Sequence, residues 1–442
     1  MSTGEQAQTS TLRGGIELPA QRPPSLHALR KDFGGRYLGA GATGVLFSAT
    51  GPVAVIIGAA SAGSLSPTQT ASWIFGVFVL NGLLTMVVSW VYRMPLAFFW
   101  TIPGTVLVGQ ALPNLTWPEV VGAYILTGIL IGILGATGLV ARIMAVLPHR
   151  VVMAMVAGAF LSFGTDLVRS VDADIVVAST MVVAWVLITR SDRLALQVPA
   201  VLVALVAGLA ALGITGGFVD IGAAQSTLPL IGLPELTAPA WSWNASAQLV
   251  VPLAITVIAV QNGQGAAVLT AAGHAPPVTV VTVLCGVWSV LVAPLGAIST
   301  CLAGPTNALL TAVGDRHRHY ISGIACGALA IVVGVAAPVL VRGLASVPDS
   351  FISALAGLAM LEALRNAFVA AFSGSAEDTT RGRVPLGPLV TLLVTISGVT
   401  AAGLGAPFWG LVAGVAVTWV LDRPHGHSHR RPRRSESRPI AR

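Results

Sequence analysis

The sequence predicts an all-α polytopic membrane protein with about fourteen transmembrane segments in a 7+7 inverted repeat. The first observation is the composition: 55% of the residues are hydrophobic, 9% are charged and the mean hydropathy is +0.83. A soluble domain carries about 25% charged residues, so most of this surface must face lipid. The other two observations are the one-sided distribution of arginines and a pair of interrupted apolar segments, the third and the tenth, in which short extended strands are expected.

The predicted segments follow from a length of about 20 residues per membrane-spanning helix. They divide seven and seven, which gives a first repeat over residues 37–235 and a second over 236–422, with a long loop at 219–244. A disordered cytoplasmic tail is expected at residues 1–36, and a basic, histidine-containing cytoplasmic tail is expected at residues 423–442. The segments are expected at residues 37–61, 69–92, 95–112, 118–141, 149–168, 172–190, 196–218, 245–263, 276–295, 296–314, 320–341, 349–372, 385–403 and 405–422.

The basic residues test both the number of segments and their orientation. With the N-terminus in the cytoplasm, only Arg169 and Arg342 of the 24 Lys and Arg residues fall on the outer side, in keeping with the positive-inside rule. Both termini are then cytoplasmic. The basic residues behind the net charge of +7 are explained by the orientation of the segments in the lipid bilayer, and not by nucleic-acid binding. An odd number of segments per half makes the second half enter from the opposite side, as in many alternating-access transporters.

The third and tenth segments carry the same interruption. Residues 95–112 have the sequence PLAFFWTIPGTVLVGQAL, and residues 296–314 have the sequence GAISTCLAGPTNALLTAVG. Proline fits the first turn of a helix and pushes the preceding residue towards extended geometry, so a half-helix should begin at Pro103 and at Pro305. The free N–H groups of such helix starts carry partial positive charge and favour an anion. A pair of structural kinks is the alternative.

Uncharged polar residues in the eighth and first segments complete the candidate site. The eighth segment carries three amides within four residues, Gln261, Asn262 and Gln264. They can donate to a carboxylate, although amides in membranes also join helices to one another. The first segment is interrupted by Ser48, Thr50, Gly51 and Pro52. The hydroxyls of Ser48 and Thr50 can face the same cavity or bond to their own backbone.

The candidate site is neutral. Segments one, three, eight and ten contain no Asp, Glu, Lys, Arg or His, which suits an anion or a weak acid better than a cation. No catalytic residue, metal or other cofactor is predicted, and the three histidines of the tail, His425, His427 and His429, are expected to bind metal only adventitiously. The candidate substrate-binding residues, with Phe99 and Trp100 against an apolar ring, are Ser48, Thr50, Phe99, Trp100, Thr101, Pro103, Gly104, Gln261, Asn262, Gln264, Gly304, Pro305, Thr306 and Asn307.

Among the acidic residues of the predicted segments, Asp166 and Glu362 need separate comment, since neither has an evident role in the site. Asp166 is expected to pair with Arg169. Glu362 lies three residues before Arg365, a spacing that favours an ion pair on a helix surface over a proton relay. The sequence thus offers no obvious proton-carrying residue.

Three stretches resemble the benzoate transporter (BenE) family of bacterial inner-membrane proteins: IAVQNGQGAAVL, CLAGPTNALLTAVG and FISALAGLAMLEAL. The resemblance covers residues 30–422 and implies proton-coupled benzoate uptake on the fold shared by nucleobase–ascorbate transporters and sulfate permeases. In that fold segments 1–4 and 8–11 form a core, and segments 5–7 and 12–14 form a gate. The acidic and histidine residues usual in the nucleobase branch are replaced here by amides, which argues against a neutral nucleobase.

These observations together predict a secondary active transporter, and not an enzyme. It is expected to import benzoate or a similar aromatic monocarboxylate across the bacterial inner membrane, by proton symport and with an elevator-type mechanism. A permease for another anion or for a nucleobase, and an anion channel, are the alternatives. A homodimer is compatible with this prediction, and the sequence leaves the oligomeric state open.

Overall fold

A computed structural model of the chain describes residues 12–13, 16–140, 148–191, 199–219, 229–373, 386–399, 401 and 406–422. Within these residues, eight helical spans are long and apolar enough to cross a membrane. Four further apolar helices are shorter, with 10–17 residues each. The chain is therefore a mostly helical, multi-pass membrane protein.

The first half of the described chain consists mainly of helices, with a short strand before α6. A π-helical turn at Gly76–Leu80 joins α4 to α5. The elements are β1 Leu12–Arg13, β2 Ile16–Glu17, α1 Leu26–Asp32, α2 Gly35–Ala49, α3 Gly51–Ala62, α4 Pro67–Phe75, α5 Asn81–Tyr92, β3 Phe98–Trp100, α6 Ile102–Ala111, α7 Trp117–Ala136, α8 His149–Ala173, α9 Ile175–Thr189 and α10 Ala200–Thr215.

The second half of the described chain also consists mainly of helices, with a short strand before α14. A π-helical turn at Thr256–Asn262 joins α11 to α12. The elements are α11 Trp243–Ile255, α12 Gly263–Ala271, α13 Val278–Val292, β4 Thr300–Leu302, α14 Gly304–Thr311, α15 His319–Val335, α16 Ala337–Ala345, α17 Asp349–Phe372, α18 Leu386–Ile396 and α19 Ala406–Val417.

The strands β3 and β4 lie inside the two interrupted segments and pair with each other. They are antiparallel, with Phe98 opposite Leu302 and Trp100 opposite Thr300. Thr101 donates its backbone N–H to the Ser299 carbonyl at 3.2 Å, which extends the pairing by one step. Each strand runs directly into a half-helix, α6 or α14, so the pairing fixes the two half-helices relative to each other.

Small residues allow the helices to approach closely. A Cβ atom at Gly82 of α5 would lie 2.7 Å from the Gly327 carbonyl oxygen of α15. Similarly, a Cβ at Gly357 of α17 would lie 2.7 Å from the Phe163 carbonyl oxygen of α8. Close packing of this kind stabilises helix pairs in a membrane, where apolar burial alone provides little driving force.

The N-terminal region departs from the predicted disorder where the structure describes it. The Glu17 carboxylate accepts the N–H groups of Thr279 and Val280 at 3.1 and 3.2 Å, at the start of α13. Further along, the Tyr320 hydroxyl donates to the Asp32 carboxylate at 2.7 Å. This part of the tail folds onto the helices because its carboxylates satisfy donors that those helices leave free.

One end of the helix bundle carries a concentration of basic side chains. Arg318 lies over the Tyr37 ring at 4.9 Å and donates to backbone carbonyls of the N-terminal region. The Arg316 guanidinium donates to the Gly273 carbonyl at 2.8 Å, and Arg93 donates to the Gln21 side chain at 2.6 Å. We call this end of the bundle, marked by Arg93, Arg316 and Arg318, the basic end.

Candidate substrate site

A pocket lies where the two half-helices begin. It spans about 270 Å³ including its open mouth, but its enclosed centre has room for only about one water molecule. Three regions of the chain contribute: the break in the first span, the strand–helix junctions, and the π-helical turn before α12. The lining residues are Phe47, Ser48, Pro52, Phe99, Trp100, Ile102, Gln261, Ala303, Pro305 and Thr306.

The pocket contains three uncharged polar side chains. Ser48 and Thr306 are buried, and their hydroxyl oxygens lie 3.5 Å apart. The Ser48 hydroxyl also donates to the Gly44 carbonyl at 3.0 Å. Gln261 is 4% exposed, and within the described part of the chain its amide has no hydrogen-bond partner. The Gln261 amide is therefore free to donate a hydrogen bond to a ligand in the pocket.

The two half-helix starts differ in how their N–H groups are satisfied. At α6, Thr101 is the N-cap: its hydroxyl oxygen accepts the Gly104 N–H at 3.2 Å, and the hydroxyl donates to Thr256 at 3.0 Å. At α14 the N-cap is Ala303, which offers no side-chain acceptor. The partial positive charge of a helix start is therefore uncompensated by a side chain at α14, where Pro305 and Thr306 line the pocket.

An aromatic cluster forms one wall of the pocket. The rings of Phe99 and Trp100 lie edge to face at 5.9 Å, and Phe78 packs against both, at 6.0 and 5.2 Å. The Trp100 indole N–H is buried without a partner among the described residues. This wall offers an apolar surface for a ring, beside the polar groups that suit a carboxylate.

Two of the predicted amides support the strands instead of lining the pocket. The Asn262 amide oxygen accepts the Leu302 N–H at 2.8 Å. Asn307 binds Ala97 through both atoms of its amide: its oxygen accepts the Ala97 N–H at 3.0 Å, and its nitrogen lies 3.4 Å from the Ala97 carbonyl. These contacts hold β4 and the start of β3 in place.

Other predicted residues also lie near the pocket without lining it. The Thr50 hydroxyl donates to the Leu46 carbonyl at 2.9 Å, and Pro103 and Gly104 are buried within α6. Gln264 is exposed on α12 and packs against the backbone of Gly304. Phe47, Ile102 and Ala303 also line the pocket but were not predicted to, although each lies one or two residues from a predicted interruption. Pro52, another lining residue, was predicted only as part of the interruption in the first segment.

The acidic residues within the spans behave differently from each other. Asp166 and Arg169 form the predicted ion pair at 3.0 Å, on the surface. Glu362 and Arg365 are both exposed, but no ion pair within 4.0 Å joins them in the part of the chain that the structure describes. The expected Glu362–Arg365 pair is therefore wrong, despite the favourable spacing of the two residues.

No metal centre accompanies this pocket in the described residues, since no group of three or more His, Cys, Asp or Glu side chains there is placed to hold an ion. Cys285, Cys301 and Cys326 are buried free thiols. The histidines of the C-terminal tail lie outside the described residues. What the pocket offers is neutral hydrogen-bond donors, one uncapped helix start and an aromatic wall.

Paired strand–helix elements around a central pocket define a class of protein, the membrane transporters. The fold is similar to the transmembrane domain of a cyanobacterial bicarbonate transporter, BicA, with a TM-score of 0.58, 14% identity, and coverage of 90% of this chain and 98% of that one. It is also similar to murine Slc26a9, an anion transporter in the inward-facing state, with a TM-score of 0.60, 13% identity, and coverage of 89% and 69%.

The sequence gives the family. Residues 32–420 match the family of the benzoate membrane transport protein, BenE, and the chain belongs to this family. A benzoate membrane transport protein of Acinetobacter baylyi is 29% identical over 407 residues, covering 90% of this chain and 98% of the relative. The Escherichia coli K12 inner membrane protein YdcO is 29% identical over 391 residues, covering 87% and 96%. The resemblance predicted from the three sequence stretches is confirmed.

Proposed function

We propose that this protein imports benzoate or a similar aromatic monocarboxylate by proton symport across the bacterial inner membrane. Family membership and the benzoate transport relative support the substrate class. The observation that carries the proposal is the pocket itself, in which the unpartnered amide of Gln261 lies with Thr306 at an uncapped helix start, beside an aromatic wall.

The proposed pose follows from the chemistry of the lining. The carboxylate lies at the start of α14 and accepts hydrogen bonds from Gln261, Thr306 and Ser48, and the ring packs against Phe99 and Trp100. Hydrogen bonds to a charged group are stronger than neutral ones, and here they would not have to displace a counter-charge. Because the enclosed centre has room for only about one water molecule, the side chains must move apart when an aromatic acid enters.

We propose fourteen transmembrane segments in a 7+7 inverted repeat, over residues 37–235 and 236–422. The eight long spans, the four shorter apolar helices and the two strand–helix elements supply the fourteen segments. The antiparallel pairing of β3 with β4 is the arrangement expected for equivalent segments of oppositely oriented halves. In this scheme the basic end of the bundle and both termini lie in the cytoplasm.

The exposure pattern supports an elevator-type movement in which this structure is the inward-facing state. Ala54 and Val106 lie between the pocket and the end of the bundle opposite the basic end. Both are buried in hydrophobic clusters that join core and gate helices. Towards the basic end, Gly263, Gln264 and Ala308 are exposed. Access to the pocket is thus proposed to be open on the cytoplasmic side, with the core of segments 1–4 and 8–11 moving past the gate.

Purified protein in liposomes tests the proposal. The initial rate of labelled benzoate uptake is expected to rise under an inward proton gradient and to exceed the rate in protein-free liposomes. Neutral benzoic acid also crosses lipid, so uptake into protein-free liposomes must be subtracted. Uptake no greater than in protein-free liposomes would contradict the proposal.

A small inorganic anion is the second candidate substrate. An ion such as bicarbonate is smaller than benzoate, so the water-sized centre of the pocket would need less widening to admit it. Competition of bicarbonate, sulfate and uracil against labelled benzoate distinguishes these substrates. Flux that equilibrates with the electrochemical gradient but never exceeds it would indicate an anion channel instead of a symporter.

A further inference from the structure

Helix α17 carries one acidic side chain well inside a membrane-spanning stretch. The helix runs for 24 residues, Asp349–Phe372, and Glu362 lies just past its middle. The side chain is exposed and has no hydrogen bond or ion pair among the described residues. A charged group at this depth is costly in contact with lipid and is normally found facing protein or a water-filled space.

The packing of α17 defines the direction in which Glu362 faces. One side of the helix, at Gly357, packs against α8. Ala359, two residues later and on a different side, touches Gly51 at the start of α3. Residues three apart on a helix are neighbours on one face, so Glu362 lies on the flank of α17 that turns towards the first span and away from α8.

Glu362 is also level with the pocket. The first span and α17 run in opposite directions, because Ala54, after Gly51, shares a cluster with Leu355, which precedes Ala359. Moving from the Gly51–Ala359 contact towards the basic end, three residues lead to Ser48 on one helix and three lead to Glu362 on the other. At 1.5 Å per residue, both lie about 4.5 Å beyond the contact, and Ser48 lines the pocket.

We propose that Glu362 is the proton-binding carboxyl that couples proton movement to substrate movement. At the level of the pocket, the ionised carboxylate repels the carboxylate of an incoming substrate. Binding of one proton to the Glu362 carboxylate gives the neutral acid and removes that repulsion, so one anion passes for each proton bound. Glu362 stays on the gate, and movement of the core changes the side of the membrane from which its carboxyl exchanges the proton. Release of the proton on the cytoplasmic side restores the carboxylate. This inference rests on the proposed function, since it needs an anionic substrate in the pocket.

Few other charges can take this role. The helices packed against α17 are α3, α8, α9 and α10, and of these α3, α9 and α10 contain no Asp, Glu, Lys, Arg or His. Within α8, Asp166 and Arg169 pair with each other, Asp172 lies near its far end, and His149 and Arg150 lie at its first turn. On α17 itself, Arg365 is one turn away, and Asp349 is at the opposite end of the helix.

Two transport modes of Glu362→Gln proteoliposomes test the coupling role. Exchange of internal for labelled external benzoate, without a pH gradient, is expected to remain within about threefold of the wild type, because the amide mimics the protonated acid. After subtraction of uptake into protein-free liposomes, the stimulation of the initial uptake rate by a gradient of one pH unit is expected to be lost. Asp166→Asn is the control, because it removes a carboxyl from an exposed ion pair. This variant should retain both exchange and gradient-driven uptake.

The outcomes separate the coupling role from the proposed function. Gradient-driven accumulation by Glu362→Gln equal to the wild type would overturn the coupling role. The coupling role would also be overturned if Glu362→Gln lost exchange although benzoate still stabilised it against heat. The carboxyl would then be needed for the conformational change itself and not for proton coupling. Glu362→Asp keeps the carboxyl and should keep accumulation, so its failure would count against the role as well. If the wild type itself neither exchanges benzoate nor is stabilised by it, the proposed function fails instead.

Discussion

Gln261 is the side chain on which substrate affinity is expected to depend most. Its amide is buried in the pocket lining and has no partner among the described residues. Gln261→Met keeps the length of the side chain and removes the donor. A hydrogen bond to a charged group is worth about 1.5–3 kcal/mol, so benzoate should bind about 10- to 100-fold more weakly. A thermal-stabilisation titration of the purified protein measures this.

A matched amide tests whether the effect is specific. Asn262, the next residue, accepts the Leu302 N–H of β4. Asn262→Leu should therefore lower the unfolding temperature of the ligand-free protein, whereas Gln261→Met should leave it nearly unchanged. If benzoate binds equally well to the wild type and to Gln261→Met, the pose proposed for the carboxylate is incorrect.

The half-helices differ at the scale of the element, and a pair of threonines isolates the difference. Thr101 caps α6, whereas Thr306 lines the pocket at the start of α14. Thr101→Val removes a cap worth about 1 kcal/mol and should lower stability with little effect on benzoate affinity. Thr306→Val should weaken binding about tenfold with little effect on stability. The unfolding temperature and the benzoate affinity are measured for both variants. Equal losses of affinity in the two variants would contradict the proposed difference between the two half-helix starts.

The connection between α12 and α13 is expected to make stability depend on pH. His274 in this connection is partly buried, and its Nε2 lies 3.1 Å from Nδ1 of His319. Burial, followed by the nearby His319 and Arg316, lowers the pKa of His274 to about 4. An unfolded histidine has a pKa of about 6.5, so unfolding takes up a proton between these values, and stability falls as the pH drops from about 6.5 towards 4.

His274→Gln removes this proton uptake. The unfolding temperature of the variant should therefore fall less steeply between pH 7 and pH 5 than that of the wild type. A substitution at His149, which lies at the start of α8 in the described structure, controls for the general effect of losing a histidine. Parallel curves for wild type and His274→Gln would show that this residue does not govern the acid sensitivity.

At the scale of the whole molecule, the sequence predicted best what depends on local geometry. The strands end close to the two prolines as predicted, but each half-helix begins one residue before its proline, at Ile102 and at Gly304. The first span breaks at Thr50 as its Gly-Pro sequence indicates. The roles of Asn262 and Asn307 could not be predicted, because an amide serves a substrate carboxylate and a backbone N–H equally well. Only the tertiary arrangement of the strands decides between these two partners.

Long-range contacts account for the other departures. Glu362 and Arg365 have a spacing that favours a pair, yet in the described structure they do not form one, since the surroundings of α17 are set by helices distant in sequence. The N-terminal region has the composition of a disordered tail, but Glu17 finds free N–H groups at the start of α13. Such partners, more than 250 residues away, leave no trace in local sequence patterns.

The contact between Gly51 and Ala359 tests the proposed movement of core against gate. A Cβ atom at Gly51 would overlap the side chain of Ala359, so Gly51→Ala should prevent this arrangement at a cost of about 1–3 kcal/mol and reduce benzoate uptake into proteoliposomes. Gly58, on the same helix α3, has open space around it, and Gly58→Ala should transport normally. Combining Gly51→Ala with Ala359→Gly returns the missing space and should restore uptake. If uptake by Gly51→Ala matches that by Gly58→Ala, the two bodies do not pass through this contact during transport.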